Sequence, residues 1–331
     1  MNILARRVVW PVVVLAGLGA ALAVSSASAQ PAPTCPSDLC ACLGAAGQFA
    51  IAGGTVKMIG GNTVDAGYAT PFGSTVDDSV CATKATFSGI AGGTTDLAAD
   101  VLLLTTGAKK IAGTFMGYKA YGMHYPGVSI AGDLVSAGGK LSGVPVNVDV
   151  TGATDTTGTN SKLAGCTQAM TDFATASTRF QGLTATQTLQ PIKLKGVDGD
   201  INAAAGVNVI NIDSIKLAPL VDRLYGSVSL TPSTLNINLL TTTDTVIINV
   251  AKSFSVGDQC FVTVIGGDPS HVIINMPGTA GSMIGKGATI DPLMLVPNAG
   301  ISVGVGSFTG NLFGKSVSVK GADISTELAC P

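Results

Sequence analysis

From Phe49 onward the apolar residues come in short runs, each cut by Gly-Gly, Ala-Gly or Ser-Gly: "FAIAGGTVKMIGGNTV", "ATFSGIAGG", "VLLLTTGAKKIAGTFMG", "VSIAGDLVSAGGKLSGVPVNVDV". β-Branched runs stopped by glycine predict strand, turn, strand. The runs keep no fixed repeat length, which argues against a propeller or a leucine-rich array. One stretch departs from this texture. In "SKLAGCTQAMTDFATASTRFQGL", Leu163, Cys166, Met170, Phe173, Ser177 and Phe180 recur three and four apart and share one face. Asn160 or Ser161 is placed to cap its start and Gly182 to end it. The spacing predicts a helix over 161–181, roughly 30 Å long at about 1.5 Å per residue. Its apolar stripe predicts that it covers a sheet face or an open end of the β-structure.

The C-terminal half repeats a phrase. Val209-Ile210-Asn211-Ile212 is followed by Ile247-Ile248-Asn249-Val250 and by Ile273-Ile274-Asn275-Met276. Asparagine inside a β-branched run is a poor choice for an ordinary buried strand. It fits a place where the strand bends, because Asn tolerates left-handed backbone and its amide bonds backbone at corners. Asn211, Asn249 and Asn275 are therefore read as turn residues. Downstream, four strand-like pieces of similar length, 271–276, 291–296, 301–305 and 315–319, are separated by short Gly-rich joints. Pro297, Asn298, Gly310 and Gly314 mark the joints. That rhythm predicts a mainly β fold, a parallel β-helix (solenoid) with one long α-helix packed alongside.

Composition adds a compartment. Arg6 and Arg7 precede an apolar run, Val8 to Val24, and Ala27-Ser28-Ala29 has the small-x-small form of a signal peptidase site. Residues 1–29 are expected to be a cleaved signal peptide, 30–47 a Cys/Pro-rich leader, and 48–331 a single β-helix domain with no membrane span after signal removal. The expected location is extracellular or at the cell surface, with the periplasm as the alternative. Seven cysteines follow the signal: Cys35, Cys40, Cys42, Cys81, Cys166, Cys260 and Cys330. In an exported chain they are disulfide candidates, three pairs and one left over, with the pairing open. A zinc site at "CPSDLCAC" is disfavoured, since His124 and His271, the only two histidines, lie far away in sequence.

Charge excludes partners rather than naming them. Only 11% of residues are charged and the net charge is −2. This gives no electrostatic case for nucleic acid. The chain is 46% hydrophobic, so low charge here does not mean disorder.

Three strings invite chemistry and lose it on context. "TGNLFGKS" (309–316) ends like a phosphate-binding loop, but Gly310 stands one place late and strand-period residues follow instead of a helix. No nucleotide is expected. "GISVG" (300–304) matches a nucleophile elbow, yet more strand follows it. "DGDIN" (198–202) starts like a calcium loop and lacks the residues that complete one. Two positioned carboxylates, as glycoside hydrolysis needs, do not stand out. No catalytic, cofactor-binding or metal-binding residue is assigned, and no cofactor is expected. Tyr118, Tyr121 and Tyr125 form the one aromatic cluster and are read as a contact surface.

The stretches "VNVINIDSIKL", "DTVIINVA", "HVIINMPG" and "LMLVPNAGISVGVGSFTGNLFGKSVSV" resemble the choice-of-anchor A domain of bacterial surface proteins. Leu295, Pro297, Asn298 and Ala299 occupy its L-x-P-N-A places, with Val296 where Ala is usual. The opening "CLGAAGQFAIAGGTV" is similar to that of ice-binding-like β-solenoid proteins. Both resemblances imply a β-helix with a long helix alongside. The chain ends at "STELACP" with no sorting motif, which puts surface attachment, not fold, in doubt.

The resemblance implies a secreted or cell-surface, non-enzymatic adhesive or structural protein. Its expected partner is an extracellular surface, a polysaccharide or a matrix protein. The alternative is an ice- or glycan-binding protein using a flat β-face, motivated by the opening and by Thr241 to Thr245. A regular outward array of Thr would favour ice, and a scattered one adhesion. A polysaccharide-active enzyme ranks third.

Overall fold

The apolar runs become the inner walls of a stacked coil. The computed structural model describes residues 39–59, 63–65, 79–88, 95–104, 109–110, 128–138, 141–142, 148–224 and 227–325. Thirteen strands make one parallel sheet: β1 Phe49–Ile59, β2 Ser79–Ser88, β3 Val101–Leu103, β4 Leu134–Ser136, β5 Thr154–Asp155, β6 Gln187–Leu189, β7 Ile192–Lys195, β8 Val207–Ala218, β9 Thr245–Val256, β10 Val272–Asn275, β11 Ser282–Ile284, β12 Leu293–Val303 and β13 Leu312–Lys320. Ten shorter strands, among them Gly199–Asn202, Thr234–Asn238 and Phe261–Ile265, form a second parallel sheet. The predicted β-helix is the fold.

The order of rungs differs from the order of the chain. In the larger sheet the strands run β5-β4-β3-β2-β1-β13-β12-β10-β9-β8-β6. The chain therefore starts in the middle of the stack and climbs to one end. Helix α2, preceded by the short α1 (Leu39–Leu43), occupies Lys162–Gln181 and returns the chain to the far end. From there β6 to β13 come back to the middle. There β13 pairs in parallel with β1, from Ile51 against Leu312 to Ile59 against Lys320. Asn311 fastens this seam, its buried amide donating to the Phe49 carbonyl at 2.8 Å.

The longest strands turn a corner without breaking. In β8 the register to β9 slips between Ile212 and Ser214, and in β12 the register to β13 slips between Val296 and Gly300. Each such strand serves two faces of the coil, and the second sheet supplies a third. The sequence pieces 291–296 and 301–305 are thus one strand of one coil, not two successive rungs. Pro297 and Asn298 form the bend between them.

Inside the coil, Val56, Met58, Phe87, Ile215, Phe254, Ile301 and Val317 alternate with outward residues and form one buried core. A second core lies under α2. Leu163, Cys166, Ala169, Phe173, Ala176 and Phe180 pack on Ala52, Cys81, Leu102, Val135, Ile247, Leu295 and Phe313. Phe173 stacks on Phe313 with ring centroids 6.0 Å apart. At about 1.5 Å per residue α2 is long enough to cross roughly six rungs spaced about 4.8 Å. It touches both half-stacks. Asn160 caps it, accepting from the Lys162 backbone at 3.0 Å, and Gly182 ends it.

Candidate functional site

A binding surface needs a face that nothing else covers, so the first question is which face α2 closes. It lies over the first segments of the long strands. Asn211, Asn249 and Asn275 occupy equivalent outward positions on β8, β9 and β10 and stack in register. The Asn275 amide donates to the Asn249 oxygen at 2.8 Å, and the Asn249 amide to the Asn211 oxygen at 3.2 Å. The ladder also holds the helix. Asn249 donates to the Phe180 carbonyl, Asn275 to the Ser177 carbonyl, and the Ser177 hydroxyl to the Asn275 oxygen at 2.5 Å. At the other end Lys162 pairs with Asp100 at 2.5 Å and Asp133 at 2.9 Å. The bond from Lys162, then one from the Ala153 backbone, holds the Asp133 carboxyl below its usual range, and the two carboxylates push Lys162 upward. The disulfide Cys81–Cys166 ties β2 to the helix. This face is closed.

The second face is open and runs over eight rungs: β7, then the later segments of β8 and β9, then β11, then the later segments of β12, β13, β1 and β2. Its outward residues stack in columns. One reads Ser214, Ser253, Gly281, Gly300, Ser316, Thr55, Lys84; the next reads Lys193, Lys216, Ser255, Met283, Ser302, Ser318, Lys57, Thr86. Small residues keep it flat. A Cβ on Gly300 would stand 2.7 Å from the Ser316 hydroxyl.

The third face carries a different chemistry. Asn236 donates to Asp200 at 3.0 Å, Thr263 to Asn236 at 3.0 Å, and Asn238 to Asn202 at 2.8 Å. Asp291 continues this edge, with its carboxyl pushed up by burial while it accepts from the Val264 backbone. These groups bond one another along the stack, so much of their capacity is already used.

A family model, the ice-binding-like adhesive domain, matches residues 46–325. The chain belongs to that family. Of the two resemblances read from the sequence, the ice-binding-like one is the one this match carries. No curated protein matches this chain. Solved structures similar to it include the ice-binding protein of the Antarctic ascomycete Antarctomyces psychrotrophicus, at 15% identity and TM-score 0.47 over 86% of this chain and 96% of that one. An ice-binding protein from an Arctic yeast follows at 13% identity and TM-score 0.41, covering 86% and 93%. The ice-binding protein 1 domain from Shewanella frigidimarina shows 12% identity and TM-score 0.43, covering 86% and 96%.

Within the adhesive domain the sequence-derived residues fall as follows. Pro297, Asn298, Gly310 and Gly314 sit at corners, and Asn298 donates to the Pro277 carbonyl at 2.7 Å. Asn211, Asn249 and Asn275 do not. They lie on the flat segment before the corner, because three stacked amides satisfy one another and the helix end. Of the cysteines, Cys81 and Cys166 pair, Cys40 and Cys42 are disulfide-bonded, and Cys260 is free and buried. Cys35 and Cys330 lie outside the described residues, as do Tyr118, Tyr121 and Tyr125. Ser302 of "GISVG" faces solvent one residue before the end of β12, and a short strand, Gly306–Phe308, follows where an elbow needs a helix. Asp198 and Asp200 bond the neighbouring rung, Thr234 and Asn236. Among the described residues no group of three His, Cys, Asp or Glu is arranged to hold a metal, and no helix is long and apolar enough to cross a membrane.

Sequence reasoning missed the second face itself. A signal was there in "SIKL", "KSFSV", "GISVG" and "KSVSVK", which alternate small polar with apolar residues. What was lacking was the register that stacks them.

Proposed function

We propose that this protein is a secreted or cell-surface, non-enzymatic adhesive β-solenoid that holds an extracellular polymer or solid surface through its second face. The observation that carries the reading is that face: eight in-register rungs of outward Ser, Thr, Gly and Lys with one exposed Met283, uncovered by any described element and kept flat by glycine. Membership of the adhesive domain family supports it. Export is supported by the targeting pattern of residues 1–29 and by the disulfide Cys81–Cys166, which belongs in an oxidising compartment.

Ice binding is the second reading, favoured by the hydroxyl columns. Threonine enters them only at Thr55 and Thr86 among the described residues, and Ser, Lys, Gly and Met283 fill the rest, which weighs toward adhesion. The test is retention of the oxidised protein on ice, insoluble polysaccharides and matrix proteins, with sugar release followed on the glycans. Retention on a polymer without product supports adhesion. Inhibition of ice recrystallisation promotes the second reading, and released sugar overturns the non-enzymatic one.

A further inference from the structure

The two open faces have opposite charge, although the chain as a whole is nearly neutral. The strand segments of the second face read TVKMI (55–59), KATFS (84–88), IKLK (192–195), SIKLA (214–218), SFSV (253–256), SMI (282–284), GISV (300–303) and SVSVK (316–320). They contain Lys57, Lys84, Lys193, Lys195, Lys216 and Lys320 and no carboxylate. All six lysines are exposed, and none makes a salt bridge; among the described residues only Lys162 and Lys252 do. The strands of the third face include VDV (148–150), GDIN (199–202), TLNIN (234–238), FVTVI (261–265) and ADIS (322–325), and no strand of that sheet among the described residues holds Lys or Arg.

Such segregation has a cost that the fold does not remove internally. Lys193 stands directly across from Lys216, and like charges opposed across a ladder destabilise it. On the outermost rung Lys193 and Lys195 also discourage strand addition at an open edge. That explanation extends to Lys84, whose segment of β2 is the last rung of the face and pairs there with β1, but it does not reach Lys57 and Lys320, which sit on rungs paired on both sides. The lysines fall in two groups, Lys193, Lys195 and Lys216 at one end and Lys57, Lys84 and Lys320 toward the other. Four rung steps, about 19 Å at about 4.8 Å each, separate the Lys216 rung from the Lys320 rung, where the other group begins. On the three rungs between them the two columns hold only Ser, Gly and Met283. A ligand matching this layout is long, negatively charged along its length, and rich in groups that bond hydroxyls.

We propose that the second face binds an extended carboxylated polysaccharide laid along the stack, with the lysine groups taking its carboxylates and the serine columns its hydroxyls. This rests on the adhesive reading and names its ligand class. Nucleic acid is the weaker fit. Among the described residues the face offers no aromatic platform for bases and no arginine fork for phosphate.

The test uses the oxidised full chain on immobilised polygalacturonate and on its methyl-esterified form, which keeps the backbone and loses the charge. The acid form is expected to bind at least about tenfold tighter, and the difference should shrink as salt rises from about 0.05 to about 0.5 M. The triple variant K57Q/K84Q/K320Q is expected to lose about tenfold on the acid form. D149N/D200N on the third face should lose nothing, and both should melt as the parent does. Equal binding to acid and ester, or an unaffected triple variant, overturns the proposal. Tighter binding to single-stranded DNA than to polygalacturonate overturns the carbohydrate assignment. Retention on cellulose or ice with none on polygalacturonate overturns this inference and leaves the adhesive reading intact. Retention on none of these surfaces removes both.

Discussion

Asn275 shows how much one side chain can carry in a coil. It is fully buried, donates to two partners and accepts from Ser177. Asn275→Ala would leave the Ser177 hydroxyl and the Asn249 oxygen without it in a dry site. The expected loss is about 2–3 kcal/mol in urea unfolding, larger than an average point change. Gly310 acts by absence. A Cβ there would stand 2.6 Å from the Pro292 carbonyl of the previous coil and 2.8 Å from the Leu293 nitrogen. Gly310→Val is expected to cost about 3 kcal/mol or more, or to abolish soluble expression, whereas Lys315→Ala, exposed at the next corner, leaves the melting temperature unchanged. Neither Gly310 nor Gly314 has a positive φ, so close approach, not left-handed backbone, makes them necessary. The sequence made these corners legible because glycine punctuates runs. It hid the role of Asn211, Asn249 and Asn275, since a ladder exists only once residues 38 and 26 apart are stacked.

At the scale of elements, the helix is the most readable part of the chain and its attachments the least. The three- and four-residue spacing predicted 161–181, against an observed Lys162–Gln181. Nothing in the spacing says which cysteine meets Cys166. Cys81–Cys166 closes a separation of 85 residues. In the chain-entropy account C81A/C166A should lose about 4 kcal/mol, read as a lower denaturant midpoint that reductant does not lower further at this bond. The ion pair at the helix start predicts a pH dependence. Asp133 has a depressed pKa, so its contribution is present above the unfolded value of 3.8 and is lost as the pH falls through the folded one. The raised pKa of Lys162 works the other way, its contribution being lost only in strong alkali. Melting curves should therefore fall below about pH 4. Lys162→Met should be less stable than the parent at neutral pH and draw closer to it in acid.

For the whole molecule, coil rhythm was visible and coil order was not. Strand-length runs and glycine joints specify a parallel stack wherever they occur, but they do not say which rung lies beside which. Here the first strand sits beside the last, an arrangement that only register between Ile51 and Leu312 reveals. The same is true of the candidate face. Its lysines are scattered through the sequence from Lys57 to Lys320 and become one surface only when β1 closes against β13.

That closure also decides how the domain meets a pull. β1 and β13 are parallel neighbours, so tension entering at Phe49 and leaving at Lys320 grips the two strands at opposite ends. Their hydrogen bonds, evenly spaced in a parallel pair, then lie across the load and share it, instead of opening one after another. An adhesive joint loaded this way fails by sliding a whole seam at once, so the seam that is assembled from the most distant parts of the chain is the one best placed to resist being torn.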